Sequence, residues 1–303
     1  MTEFPKIGIE QFIVLGIGVA IAVIVPIMIA VIWTIRKHEK FTTVLIGAVT
    51  FVLFALILEK TIQNALVFPT AMGLPDHAAS QFINARPILW ALVLGLFPGV
   101  FEETGRFVAF KTLLRNRRNR ETSISYGIGH GGIEVILVLG INYITYMVYG
   151  VIINEGVFQG IIDQVAEQVP FQADGMRALP EQLAAFGFAD IGAGMFDRVF
   201  AFLFHVGASI LVFYAARDKG RLWLYPLAIL LHTALDSLAG LTMANVIQLS
   251  TPVLEAIVVA FGLLTFLGAY LLLYKKDENK NSGHSHERYE YVIKRAENDA
   301  PVR

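Results

Sequence analysis

A chain of 303 residues that is 55% hydrophobic, 16% charged and of mean hydropathy +0.61 is too poor in charge for a water-soluble domain, where about a quarter of residues are charged. The net charge of −1 excludes the basic face that nucleic-acid binding needs. The absence of cysteine excludes disulfides, thiolate nucleophiles and Cys-ligated zinc.

Lipid is therefore the expected solvent. The apolar run from Phe12 to Ile35 is longer than the hydrophobic stretch of a signal peptide and lacks an A-x-A site, so it reads as a first spanning helix. Six further stretches reach the ~20 apolar residues that a ~30 Å hydrocarbon core demands. The spans are placed at 10–35, 41–62, 86–112, 123–152, 194–216, 222–245 and 251–274, giving an all-α, polytopic bundle of seven transmembrane helices. Arg36, Lys37 and Lys40 follow the first span, and Lys111, Arg115, Arg117, Arg118 and Arg120 the third. Arg217, Lys219 and Arg221 follow the fifth, and Lys275 and Lys276 end the seventh. The alternate loops are poor in Lys and Arg, so the positive-inside rule sets the N-terminus outside and the C-terminus in the cytoplasm.

Two segments between spans carry their own patterns. Residues 63–85, with Pro69, Gly73, Pro75 and Asp76, read as an outer loop. In residues 153–193, Phe158, Ile161, Ile162, Val165 and Val169 recur at helical spacing, and Pro180 is placed to open a second short helix. Such a segment either lies on the outer leaflet or forms a lid over a substrate cavity; the former is the commoner use of an amphipathic helix. Residues 1–274 form one integral membrane domain with a motif-bearing core at 86–245. Residues 275–303 form a polar cytoplasmic tail expected to be disordered.

The informative residues are the ionisable ones inside the spans. They are Glu102, Glu103 and Arg106 in the third, His130 and Glu134 in the fourth, His205 in the fifth, and His232 and Asp236 in the sixth. Counted from the flanking basic loops at 1.5 Å per residue, Glu103, His130, Glu134, His205 and His232 lie ~15–21 Å from the cytoplasmic charge belt, close to the bilayer centre. Glu102 and Arg106, His130 and Glu134, and His232 and Asp236 are each four residues apart, so each pair shares a helix face. Pro98 and Gly99 precede the glutamates and are expected to kink the third helix, and glycines flank His130 so that its helix can approach neighbours closely. One buried pair would read as glue between helices. Charged groups at one depth on four helices, each costing at least ~2.5–3.5 kcal/mol to insert, point to a functional site.

No HExxH, GxSxG or cysteine nucleophile is present. Two adjacent carboxylates, histidines and an arginine suit acyl transfer to water, with a glutamate as base, a histidine as proton partner or oxyanion donor, and Arg106 orienting a carboxylate. The same residues suit zinc held by His205, His232 and either His130 or Glu134, with a glutamate as base. Residue pattern leaves the metal-free and zinc-dependent mechanisms open.

The motifs EExxR (Glu102, Glu103, Arg106), HxxxE (His130, Glu134), His205 and HxxxD (His232, Asp236) resemble, in this order, those of the YhfC family of membrane peptidases. That family is similar to the PrsW and CAAX-processing/bacteriocin-immunity (CPBP) intramembrane proteases. The resemblance implies that Glu102 or Glu103 activates water with help from Glu134 or His130, and that His232 and Asp236 stabilise the oxyanion or position the peptide. Two residues separate EE from Arg106, as in PrsW, where the CPBP pattern has three. His130 and Glu134 stand where CPBP proteins have the Phe and His of FxxxH. The expected setting is a bacterial plasma membrane, with lipid and a membrane-associated peptide or protein substrate as partners; no feature specifies an oligomeric state. The alternatives are a proton or divalent-metal transporter using the same cluster, for which no internal repeat is visible, and a catalytically silent immunity or binding protein.

Overall fold

The computed structural model describes residues 4–168 and 170–277, and among these every regular element is helical. Among the described residues, seven helices are long and apolar enough to cross a membrane. They are α1 (Ile9–Lys37), α2 (Phe41–Val67), α3 (Pro87–Lys111), α4 (Glu121–Asn154), α5 (Phe188–Arg217), α6 (Leu224–Met243, entered through the turn Lys219–Arg221) and α7 (Thr251–Asp277). Each expected span is present, and three ends move. The second span runs on to Val67, and the fifth begins six residues early, at Phe188. The seventh passes Tyr274 and is helical to Asp277, the last described residue, which accepts hydrogen bonds from Arg217 Nη1 (2.6 Å) and Tyr214 Oη (3.0 Å). The first three residues of the expected tail are thus helical and tied down; the rest of that tail, and Val169, lie outside the described residues.

α5 is the central helix: two thirds of its apolar stretch (67%) is buried, and it packs on α3, α4, α6 and α7. α3 lies along α6, α2 lies along α4, and α1 covers another side of α4. Outside, Ile24, Met28, Ile35, Leu264 and Leu272 are exposed, forming an apolar periphery suited to acyl chains.

Small residues set the helix spacing. A Cβ on Gly129 would overlap the Val44 carbonyl, and one on Gly47 would overlap that of Tyr126, so α2 and α4 meet backbone to backbone. Gly99 of α3 leaves no room for a Cβ beside Thr233 of α6. Lipid supplies no hydrophobic drive between helices, so this kind of contact is a main source of close packing. α3 is helical throughout, with Pro98 and Gly99 inside it, so the chain is not interrupted there. Gly99 serves approach to α6, and Pro98 withdraws the donor for the Leu94 carbonyl.

The loop helices are held by local partners. In residues 63–85, His77 caps the helix Ala78–Asn84, its Nδ1 accepting from the Ser80 N–H (3.1 Å). Residues 153–193 contain the helices Phe158–Gln168 and Pro170–Ala184; Pro180 sits inside the second rather than opening it. Phe158 and Ile162 are fully buried in a cluster with Ile7, Ile153 and Leu183. The amphipathic face is therefore covered by the start of α1, the end of α4 and the second helix. Protein partners thus supply the apolar cover of this segment.

Gly129→Val is expected to lower the melting temperature of the detergent-purified protein, with an overpacking cost of at least about 1–3 kcal/mol. Gly16→Val, with nothing within 4 Å of the added Cβ, should leave it unchanged. Equal melting temperatures would refute the close α2–α4 approach.

Candidate functional site

α3 carries Glu102, Glu103 and Arg106; α4 carries His130 and Glu134; α5 carries His205; and α6 carries His232 and Asp236. The glycines around His130 bring these helices together. A Cβ on Gly127 would stand 2.8 Å from Val206 Cα of α5, one on Gly131 3.2 Å from His205 Cβ, and one on Gly132 3.3 Å from Pro26 of α1. His130 is thereby buried among α1, α2 and α5, with its ring 5.2 Å from that of His205.

Arg106, with no exposed surface, stands at the centre. Its Nη1 donates to Glu103 Oε1 in a very close ion pair, and its Nη2 donates to His205 Nδ1 at 2.6 Å. The same Nη2 lies 3.7 Å from Glu102 Oε2. His130 Nε2 is 2.9 Å from Glu102 Oε2, and His232 Nδ1 is 2.8 Å from Glu103 Oε1. His205 Nε2 lies against Glu134 Oε2. Asp236 is at the edge, 3.4 Å from His232 Nε2, with its side chain 39% exposed. The eight polar residues singled out in the sequence form one connected cluster.

Successive residues on a helix point ~100° apart, so the two glutamates face different neighbours. Glu102 turns to α4 and α5, and Glu103 turns to α6. As a result Glu102, His130 and His205 offer donor atoms that all lie within 4.8 Å of one another. This trio differs from the expected zinc set: Glu102 takes the place of His232, which is engaged by Glu103 and Asp236. Glu134 stands behind His205, where a carboxylate orients an imidazole.

Two observations bear on whether a cation fits. Five carboxyls, of Glu102, Glu103, Glu134, Asp197 and Asp236, face only the two guanidiniums of Arg106 and Arg198, so the cluster is rich in oxygen acceptors for a cation. Among the described residues, buried Glu103 Oε2 and His130 Nδ1 have no hydrogen-bond partner, and Glu134 Oε2 meets His205 without hydrogen-bond geometry. Buried polar atoms are seldom left so, and these are available to a metal, water or substrate.

Sequence reasoning passed over two groups. Arg198 of α5 reaches Glu134 Oε1 (3.3 Å) and pairs closely with Asp197. The signal was its position seven residues before His205, two turns away on the same face. Glu59 of α2 is buried and accepts a hydrogen bond from Lys60 Nζ at 2.9 Å. A π-helical stretch, Val52–Glu59, ends on it, and such stretches are frequent at functional sites.

A model of the YhfC intramembrane metalloprotease family matches residues 21–259. The "Uncharacterized membrane protein YhfC" of Bacillus subtilis (strain 168) is 30% identical over 271 residues, covering 88% of this chain and 97% of that protein. No solved structure matches. The matched region contains all eight clustered polar residues and reaches from α1 into α7, and the chain belongs to the YhfC family of intramembrane metalloproteases.

Proposed function

We propose that this multi-pass membrane protein is a zinc-dependent peptidase that hydrolyses a peptide bond of a membrane-associated peptide or protein. The observation that carries the reading is the convergence of Glu102, His130 and His205 beside a second, fully buried carboxylate, Glu103. One carboxylate and two imidazoles, with a coordination position left for water, is a donor set of catalytic zinc sites. Zinc held there would supply Lewis-acid polarisation of the scissile carbonyl and of the attacking water.

The chain's own groups divide the remaining work. Glu103 is the general base: Arg106 and His232 hold its Oε1, which leaves Oε2 to accept the proton of the attacking water. His232, in contact with Glu103 and Asp236, is placed to stabilise the oxyanion or to protonate the leaving amine. Glu134, itself gripped by Arg198, lies against His205 Nε2 and holds that ring with Nδ1 towards Arg106 and Glu102. Arg106 Nη2 shares His205 Nδ1 and Glu102 Oε2 with the proposed ligand set, so metal binding competes with that guanidinium contact. The rings of Phe51 and Phe204 pack edge-on against His130 and His232 and keep the site apolar at its margins. The Lys/Arg-rich loops after α1, α3 and α5 face the cytoplasm in this reading, with the N-terminus outside.

Purified protein should carry about one zinc per chain, lost in His130→Ala and His205→Ala. Glu103→Gln should keep the metal and cleave a reconstituted transmembrane peptide about 10²–10⁴-fold more slowly. Metal-free wild type that still cleaves in the presence of a chelator, or a fully active Glu103→Gln, would overturn the mechanism. Glu134→Gln should weaken zinc binding about 10–100-fold in a chelator competition. Unchanged affinity would show that Glu134 does not orient His205.

A further inference from the structure

At the Lys/Arg-rich end of α3 and α5, a separate cavity of about 150 Å³ opens beside the loop that joins α3 to α4. Lys111 is eight residues beyond Glu103 on α3, ~12 Å along the axis, which sets the cavity at headgroup depth when the carboxylate cluster is at mid-bilayer. Its rim is formed by Lys111, Arg115, Arg117, Arg118 and Arg217. Its floor is apolar, made of Phe110, Leu114 and Phe213.

The rim is under-neutralised. Arg217 pairs with Asp218 (2.8 Å) and Asp277 (2.6 Å). Arg117 donates to the hydroxyls of Thr42 (2.8 Å) and Thr43, and Arg118 donates to the carbonyl of Arg217 (3.0 Å). These neutral acceptors fix two guanidiniums in place without cancelling their charge. Lys111 lies over the Phe107 ring, at 5.5 Å from its centroid. Among the described residues, no ion pair joins Lys111, Arg115, Arg117 or Arg118 to a carboxylate. Positioned cations around a small cavity repel one another until an anion enters, and arginine forks match phosphate oxygens in particular.

We propose that this cavity binds a phosphate-bearing anion at the membrane surface. An anionic phospholipid headgroup and free phosphate share that chemistry. The apolar floor favours the lipid, whose glycerol and first methylenes would rest on Phe110 and Phe213. Basic pockets between transmembrane helices at a bilayer surface are established headgroup sites in general.

The test uses full-length protein in neutral detergent, titrated separately with phosphatidylglycerol, phosphatidylcholine and inorganic phosphate. Melting temperature and bound lipid by native mass spectrometry are the readouts. Phosphatidylglycerol should bind and raise the melting temperature while phosphatidylcholine does not. Lys111→Gln/Arg115→Gln, which breaks no ion pair, should weaken that binding about tenfold or more. Arg36→Gln/Lys37→Gln, removing equal charge from the last turn of α1, should bind as wild type does. Arg118→Gln serves as a second cavity variant if the double variant folds poorly. Stabilisation by inorganic phosphate with the same variant dependence supports the site with the free anion as a ligand. No response to either anion, or equal losses in the cavity and loop variants, overturns the proposal.

Discussion

The guanidinium of Arg106 has no exposed surface, yet it touches Glu103, Glu102 and His205 through two of its nitrogens. A charge near mid-bilayer is tolerated only when partners surround it, and removing one partner from a buried pair costs about 3–5 kcal/mol. The partners of Arg106 come from its own helix and from α5, and their partners come from α4 and α6. Four helices are thus bound into one arrangement by the need to compensate a single cation and the carboxylates around it. The fold and the site are, to that extent, the same set of contacts.

Such a network requires short side chains to reach across helix interfaces, which in turn requires the backbones to come close. The small residues accomplish this. Gly127, Gly129 and Gly131 let α4 press against α2 and α5, and Gly99 lets α3 press against α6. Where a leucine would hold two helices apart, a glycine lets His130 meet Glu102 at 2.9 Å and His232 meet Glu103 at 2.8 Å. The outward faces of α1 and α7 carry exposed Ile, Leu and Met instead. The same chain therefore uses bulk against lipid and smallness against itself.

Much of this was legible before any coordinates. Hydropathy located seven spans because the thickness of a bilayer imposes a minimum length on each. The rarity of charge in lipid made Glu102, Glu103, Arg106, His130, Glu134, His205, His232 and Asp236 stand out. Arg198 and Glu59 were overlooked because both lie towards span ends, where a charge can reach the interface at little cost and so carries a weaker signal. The helices of residues 153–193 were seen as amphipathic, but what covers their apolar face depends on Ile7 and Ile153, which periodicity within the segment does not reveal.

Span number, polar content and depth are properties of position along one axis, so the order of residues suffices to determine them. Partner choice depends instead on the rotation of each helix and the distance between axes. Those are set by contacts such as Gly129 with Val44 and Gly99 with Thr233, made between segments far apart in the chain. Only the tertiary structure could decide that Glu102, rather than His232, joins His130 and His205. Two adjacent glutamates are alike in composition and in depth, and differ only by the ~100° that turns one towards α4 and the other towards α6.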